Sequence, residues 1–597
     1  MSKESKVSAR HLSGKLSKHF NFKLTAGGKI DGRDKVYCVH CNKQFAFCGS
    51  NTSLTYHIQH KHPLKFEHND NDSQKVNSLI NFFPCQSNRE VSHKMSTDLK
   101  LAIAHWIASS GRPTAIVQDI GLQSLLRLAL QNQTYNLPSR RTIDTLIGQM
   151  YEEKRIMYQK DIESIASIAL TTDFWTSNNN ESYCGVTGHW IDADWKLQSV
   201  ALGCVVVEHR HTADNLARFY EKFYASWNIT DKISCILTDN ARNIVAAIRE
   251  TGYNQIPCIA HCLQLSILAG LKAADSLPLL SKCRHLVGHF KHSSANTSEL
   301  KSSNASVGVM FYKLQQDVAT RWNSTYIMLT RLLELKEAIM QYHIDHPKNY
   351  SGPKLSESDW DKMAKYTSFL ATLADATEHI GGEKYATCSA ILPLNAFLGR
   401  LLKVNDDDPG YVTRLKTATF NDFRNRIEGI DASTILKMAV ALDPRYKKLS
   451  CIRRERRKEV WTLLTNEFKA FCDRRQPIID ETPEHVPKKQ KLMLLLSDSE
   501  SESDDELESV HSANDELRRY AEEPPIPEAA DPLIWWKLHS HRFPVLSSFA
   551  QTILCVPASS VPCERLFSSS GYIINKMRSS LLPEHVNALV CLHDWLK

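Results

Sequence analysis

Apolar and polar residues follow different rhythms along this 597-residue chain, and the changes of rhythm divide it. The first 65 residues hold only short apolar islands in a polar, basic background. Residues 66–92 are turn-rich, with Asn69-Asp70-Asn71-Asp72 and few apolar anchors, and read as a linker. From about 95 to 160 the spacing becomes helical. Leu99, Leu101, Ala102 and Trp106 form one stripe, Ile120, Leu122, Leu125 and Leu126 a second, and Pro138-Ser139 opens a further helix ending near Lys160. This unit is either a contacting element in its own right or packing for the next domain.

Between 163 and 262 the rhythm shortens. The apolar runs Ile165–Leu170, Tyr183–Trp190, Leu197–Val207 and Ile233–Leu237 predict strands, while Ala213–Ser226 and Ala241–Glu250 predict amphipathic helices. Three meandering strands followed by alternating helix and strand imply a mixed sheet covered by helices, which is also the element order of a ribonuclease-H-like fold. From about 263 to 530 the pattern is helical, broken by loops such as Asp406-Asp407-Asp408-Pro409-Gly410 and by a low-complexity stretch. Ser497–Glu508 carries seven acids and no base, so it is expected to stay solvated and disordered. The fold class expected is therefore α+β and multidomain.

Composition narrows the setting. Apolar residues make up 42% and charged residues 23%, as in globular proteins. No stretch approaches the roughly 18 continuous apolar residues that span a bilayer, and no membrane partner is expected. The polar, basic start lacks the apolar centre of a secretory signal, so the 16 cysteines are expected as thiols and metal ligands. The net charge of +7 is uneven: residues 1–65 hold twelve Lys/Arg against three Asp/Glu, a local +9, and the remainder sums to −2. That basic segment suits contact with nucleic-acid phosphates.

The same segment carries a metal pattern. Cys38 and Cys41 form a two-cysteine knuckle, fifteen residues separate it from His57, and four more separate His57 from His62. Two thiolates and two imidazoles at this spacing suit a closed tetrahedral Zn²⁺ site. Phe45, Phe47 and Leu54 would supply its small core, and Asn51-Thr52-Ser53 a helix start. His57 and His62 lie about 140° apart on an ideal helix, so His60 competes for the role. We favour His62, because Pro63 ends the helix and frees the last turn to swing inward. His40, Cys48 and His60 then read as ordinary surface or core residues.

The Cys-x2-Cys pair, the Asn-Thr-Ser-Leu helix start and His-x4-His-Pro together resemble a BED finger. That resemblance implies binding of double-stranded DNA through the short helix, with Asn51, Thr52, Thr55 and Lys61 as candidate contacts.

Two aspartates stand beyond the last apolar residues of predicted strands: Asp173 after Ile165–Leu170 and Asp239 after Ile233–Leu237. If those strands are neighbours, the carboxylates meet at one sheet edge and offer the oxygen donors that Mg²⁺ prefers, although such an Asp is more often a turn or cap residue. Thr171-Thr172-Asp173-Phe174-Trp175-Thr176-Ser177 and Leu237-Thr238-Asp239-Asn240-Ala241 resemble the first two acidic motifs of hAT transposases. Pro557-Ala558-Ser559-Ser560-Val561-Pro562-Cys563-Glu564-Arg565-Leu566-Phe567-Ser568 resembles the third. The resemblance implies a catalytic triad of Asp173, Asp239 and Glu564, using Mg²⁺ or Mn²⁺ where activity persists.

Cys258-Ile259-Ala260-His261 is similar to the family's Cys-x2-His element, and we read Cys258 and His261 as core packing beside the catalytic sheet. Thr320-Arg321-Trp322-Asn323-Ser324 is similar to its Arg-Trp element, which implies that Trp322, beside Arg321, stacks on an unpaired base. The C-terminal portion resembles the hAT dimerisation region. Trp535, Trp536, Leu546, Val586, Leu589, Val590 and Leu592 either bury a partner surface in a homodimer or higher oligomer, or pack within the monomer.

The implied organisation is a BED-type zinc finger (12–65), linker (66–92), small helical domain (93–160) and first part of a ribonuclease-H-like domain (161–262). A large all-helical insertion (263–530) comes next, with a disordered acidic loop at about 475–525. Residues 531–597 complete the ribonuclease-H-like domain and supply the dimerisation region. Pro487-Lys488-Lys489-Gln490-Lys491 resembles a nuclear import signal, and Leu492–Leu496 with its acidic flank a SUMO-interacting segment, giving possible SUMO or chromatin partners. Three functions fit: a dimeric nuclear regulator of chromatin or transcription, a working cut-and-paste transposase, or a dimeric scaffold recruiting partners through the acidic loop.

Overall fold

The computed structural model describes residues 9–11, 16–25, 30, 34–47, 51–62, 89–177, 180–307, 310–474, 515–574 and 581–597. The proposed linker (but for residues 89–92), the import-like and SUMO-like segments, Cys48, Pro63 and the acidic run Ser497–Glu508 lie outside them. Two compact units are distinguished: residues 1–92 with 119–136, and residues 93–118 with 137–597.

In the first unit, β1 (Ala9–His11), β2 (Phe20–Lys23), β3 (Lys35–Cys38) and β4 (Gln44–Ala46) form an antiparallel meander, followed by α1 (Thr52–Lys61). Leu16, Phe20, Val36, Cys38, Leu54 and Ile58 make its core, with Phe22, Phe45 and Phe47 packed against it. So few apolar side chains give a marginal core, the situation in which a bound metal contributes directly to folding.

The second unit begins with α2 (His93–Ser110); α3 (Ile120–Ala129) belongs to the first unit, and α4 (Arg140–Ser164) returns to the second. The helical domain expected over 93–160 therefore does not stand apart. Its helices divide between the two units, because α2 and α4 bury their apolar faces against the C-terminal helix Pro583–Trp595.

Next come β5 (Ile168–Thr176), β6 (Ser182–Ile191), β7 (Leu197–Val206), α5 (Ala213–Ser226), β8 (Ile233–Thr238), α6 (Arg242–Thr251) and β9 (Gln255–Pro257). The sheet order is β7-β6-β5-β8-β9. β5 pairs antiparallel with β6 and parallel with β8, so the sheet is mixed. Its strands are near-continuously apolar because helices cover both faces.

An all-helical insertion follows: α7 (Ile259–Ala273), α8 (Leu277–Lys291), α9 (Ser294–Val307), α10 (Trp322–Glu334), α11 (Lys336–Asp345), α12 (Glu357–Ile380), α13 (Ile391–Leu401), α14 (Gly410–Arg426), α15 (Thr434–Leu442) and α16 (Arg457–Asp473). α7 crosses α14 closely at Gly270, where an added Cβ would stand 2.9 Å from the Leu415 carbonyl oxygen. Any larger residue there would force the helices apart.

The acidic loop expected to reach 525 ends earlier, since residues 515–522 form α17. Tyr520 anchors it by donating to the Ala441 carbonyl (3.0 Å), and buried Glu516 accepts the Leu546 N–H (2.8 Å). The chain closes with α18 (Pro532–His539), α19 (Pro544–Leu554), α20 (Val561–Ile573) and α21 (Pro583–Trp595).

α21 seals the free edge of β7 with side chains. Asn587 Oδ1 accepts the Cys204 N–H (2.8 Å), Asp594 Oδ2 accepts the Ala201 N–H (3.0 Å), and Trp595 Nε1 donates to the Ala201 carbonyl (2.9 Å). Covering an edge in this way keeps it from pairing with other chains. Among the described residues no single helix is long and apolar enough to cross a membrane.

Candidate functional site

In the finger, β3 and the turn after it deliver Cys38 and Cys41, while α1 delivers His57 from its buried face. His62 is the C-cap, with φ −136° and ψ 50°, so it has left the helix and its imidazole turns back toward the knuckle. The ligand atoms of Cys38, Cys41, His57 and His62 lie within 4.8 Å of one another, the one such group of three or more among the described residues. Cys41 Sγ is 3.2 Å from His57 Nε2. Buried His62 Nε2 makes no hydrogen bond, as suits a nitrogen reserved for a cation. The donor set therefore fits a closed zinc site. His60 lies apart, exposed and stacked on Tyr56 at 4.0 Å, and His40 is 3.0 Å from His19.

Asn51 occupies the N-cap position of α1 without a side-chain capping bond. It is exposed together with Thr52 and Lys61, and Thr55 is half-buried. Thr52 and Thr55 thus lie toward solvent on a helix anchored from behind by Leu54, His57 and Ile58, with Asn51 and Lys61 at its two ends.

In the second unit, β5 runs on past its apolar start to Thr176. Asp173 therefore lies inside the strand, paired with Gly185, rather than beyond its end as expected. The apolar run marks only the deeply buried half, and hydrogen bonding continues through polar residues. Thr171 pairs with Leu237 on parallel β8, so the same register sets Asp173 beside Asp239. Asp173 accepts the Phe174 N–H (2.8 Å), and Asp239 accepts the Ala241 N–H (3.1 Å). Between them and α6, Asn240 turns through φ +71°, a conformation that Asn tolerates better than most residues. Burial, then the charges of Asp239 and Glu564, push the Asp173 carboxyl up to about 7. The charges of Asp239 and Glu564 thus bear on Asp173, while among the described residues only the finger gathers three or more ligand atoms into a group that could hold one ion.

Glu564 arrives through a set of thiol contacts. Cys258 caps α7, its Sγ accepting the His261 N–H (3.4 Å) and also the Ser560 N–H (3.2 Å). The Ile259 N–H donates to the Ala558 carbonyl (3.1 Å). Cys563 donates to the Thr171 carbonyl (3.3 Å), and Phe567 lies over Gly185, where a Cβ would fall 2.7 Å from its ring. Arg565 pairs with Glu383 and donates to the Gly381 carbonyl (3.0 Å). Cys258 therefore acts in packing through its lone pairs, whereas His261 takes part through its backbone. Sequence reasoning missed Cys563, Gly185 and Arg565 as positioning residues. For Cys563 and Arg565 the signal was adjacency to Glu564, which gives no direction of contact; Gly185 carried no such signal.

Two expectations are corrected. Trp322 is 1% exposed and packs in the main core beside Tyr326, so its ring faces are covered and unavailable to a base in this conformation. Arg321 beside it is exposed. Trp536 is fully buried, donates to the Leu442 carbonyl (2.9 Å) and stacks on Trp195 and Tyr520. Trp535 is half-buried, and Leu546, Val586, Leu589, Val590 and Leu592 are buried within the monomer. Of the residues chosen as a dimer surface, all but half-buried Trp535 are thus core. Exposed instead on α18 are Ile534 (58%) and Leu538 (65%), one helical turn apart.

Family models match four segments: a BED zinc finger (residues 22–63), a ZBED1 RNase-like domain (171–255), a ZBED1 RNase-like helical domain (256–369) and a hAT family C-terminal dimerisation region (516–596). The chain is 27% identical to a putative Ac transposase of Zea mays, over 77% of this chain and 61% of that protein. It is 25% identical to the BED-finger protein RICESLEEPER 2 of Oryza sativa subsp. japonica, over 76% and 69%. It is 22% identical to human zinc finger BED domain-containing protein 4, over 94% and 50%. The chain thus spans about three fifths of the length of the maize transposases it matches.

Proposed function

As a BED-finger relative of the hAT transposases, this chain is, we propose, a zinc-dependent nuclear DNA-binding protein that acts as a dimer on chromatin or transcription. The observation that carries this reading is the Cys38–Cys41–His57–His62 cluster beneath the exposed face of α1. Zinc held there would fix the pitch of α1, and Asn51, Thr52, Thr55 and Lys61 would meet the duplex. A relative described as a putative transcriptional regulator, tpeD of Talaromyces stipitatus, is 24% identical and supports the regulatory reading. Selection of random duplexes by the zinc-loaded protein tests it. Enrichment of a common sequence, abolished by a chelator, is expected; failure to retain any duplex would overturn the reading.

A second reading is favoured by the register that sets Asp173 beside Asp239 and by the charge of Glu564 acting on Asp173. Asp173, Asp239 and Glu564 would hold Mg²⁺ or Mn²⁺, which when bound supplies Lewis-acid activation for DNA strand cleavage. The protein's own contribution is positional: β5, β8 and α20 hold the carboxylates, and the Phe174 and Ala241 N–H groups orient two of them. Metal-dependent nicking of the selected duplex, lost in Asp173→Ala with binding retained, would establish this activity. Binding without nicking in the unaltered protein would leave the regulator alone.

For the dimer, Ile534 and Leu538 offer an apolar pair inside the segment matched by the dimerisation model. A SUMO-type partner at Leu492–Leu496 is tested by alanine replacement of Leu494–Leu496.

A further inference from the structure

The helical insertion carries a concentration of cations that neither the finger nor the carboxylate site uses. Between Arg445 and Lys458 stand eight Lys/Arg and a single acid, Glu455. Three of the eight serve the fold. Arg445 closes on Asp443 at 2.7 Å, Lys447 donates to the Tyr520 carbonyl (2.6 Å), and half-buried Arg457 donates to the Ile452 carbonyl (3.1 Å). The other five, Lys448, Arg453, Arg454, Arg456 and Lys458, are exposed. Among the described residues only Arg456 of these five has an ion-pair partner, Glu459 at 3.6 Å in its own helical turn.

The basic surface continues into the body. A cavity of about 290 Å³ is lined by Lys437, Arg453 and Arg456 together with the acids Asp431 and Glu459. It shares Ala396 and Cys451 with a larger one of about 1030 Å³, whose walls include Arg400 and His379. That second cavity ends at Ile380, whose carbonyl accepts the Ser559 hydroxyl (3.0 Å), and the neighbouring Gly381 carbonyl accepts Arg565. A trough with Arg453 and Arg456 at its outer end, whose walls mix cations with Asp431, Glu459 and Glu528, therefore runs toward the segment that carries Glu564.

We propose that this trough is a second contact surface for the phosphate backbone of double-stranded DNA, distinct from the finger. The inference rests on the DNA-binding function proposed for the chain and deepens it. Crowded like charges without internal partners repel one another, and a polyanion with one charge per about 1.7 Å of axis relieves that repulsion while releasing its counterions. Most of the cations are arginines, whose planar fork matches phosphate oxygens. An acidic polypeptide is the rival occupant, and its charges do not require a trough leading toward the carboxylate site.

The test uses full-length, zinc-loaded protein and a random-sequence duplex of about 30 base pairs, with affinity read by fluorescence anisotropy across a salt series. Compared are the unaltered chain, the fourfold variant Arg453→Gln, Arg454→Gln, Arg456→Gln, Lys458→Gln, the finger variant Cys38→Ser, and their combination. The fourfold variant should keep its thermal midpoint, bind at least ~10-fold more weakly and lose about 2 to 4 from the slope of log K against log salt, at ~0.9 per contact. An affinity and slope matching the unaltered protein would overturn the proposal. So would competition by polyglutamate at a lower charge concentration than duplex. Failure of the finger reading has a different signature: Cys38→Ser would bind selected duplexes as the unaltered chain does, whatever the patch variant shows.

Discussion

The backbone N–H of Ser560 points at the sulfur of Cys258 from 3.2 Å, although 302 residues separate the two. That contact joins the end of the first sheet segment to the peptide leading into Glu564. The same sulfur caps α7, so one small polarizable atom serves two backbone donors.

Cys258→Ala should lower unfolding stability by about 1 to 3 kcal/mol, since two buried N–H groups lose their acceptor. Cys258→Ser keeps an acceptor and should recover part of the loss. Equilibrium denaturation of both variants in parallel checks this, and an unchanged midpoint in the alanine variant would mean the contact contributes little.

The finger separates two histidines that sequence spacing leaves in competition. His62→Ala should abolish stoichiometric zinc and weaken duplex binding by at least ~10-fold, because a three-ligand site no longer closes. His60→Ala should retain one zinc per finger, since its imidazole contacts Tyr56, by stacking and at its carbonyl, rather than the metal ligands. Zinc content by elemental analysis, alongside gel-shift titration, distinguishes the two.

At the C-terminal end the buried and exposed positions should behave oppositely. Trp536→Ala removes a fully buried indole and its hydrogen bond, and should cost about 3 to 5 kcal/mol of monomer stability. Ile534→Asp with Leu538→Asp should leave the fold intact and shift the sedimentation profile toward monomer. A dimer that survives both changes would place the interface elsewhere.

Lys447 gives a pH signature. Burial, the leading cause, pushes its ammonium down to about 8, partly offset by Glu523 and reinforced by Lys448. Between about pH 8 and its unfolded value near 10.5 the unfolded chain binds a proton that the native chain has released, so this group's contribution to stability rises with pH there. Lys447→Met should therefore gain about 1 to 3 kcal/mol over the unaltered protein at pH 7, less the lost bond to Tyr520, and the gain should shrink toward pH 10. Denaturation midpoints of the pair across that range check the sign.

Much of the sheet was legible because its strands announce themselves as apolar runs and its helices as amphipathic ones. Ala213–Ser226 is helical at the bounds expected, and the strand–strand–strand–helix–strand–helix–strand order matches. Asp173 was misplaced relative to its strand because pairing extends beyond what hydrophobicity marks. The tryptophans were misread for a different reason. An aromatic residue signals a large surface to be covered, but whether its own chain, a partner or a base covers it depends on tertiary packing. Trp322 and Trp536 are both covered from within. Exposed Ile534 and Leu538 carried too little pattern to stand out beside the adjacent Trp pair.

The hydrogen bonds that close β7 come from α21, on the far side of the whole helical insertion in sequence. Synthesis is vectorial, so a ribosome that has finished the sheet and the insertion has yet to make the segment that covers this edge. Until α21 emerges, the nascent protein carries an edge strand whose outer side is uncovered. Products terminated before it would keep that strand permanently open, which makes α21 a checkpoint between a well-behaved product and one prone to pair with its neighbours.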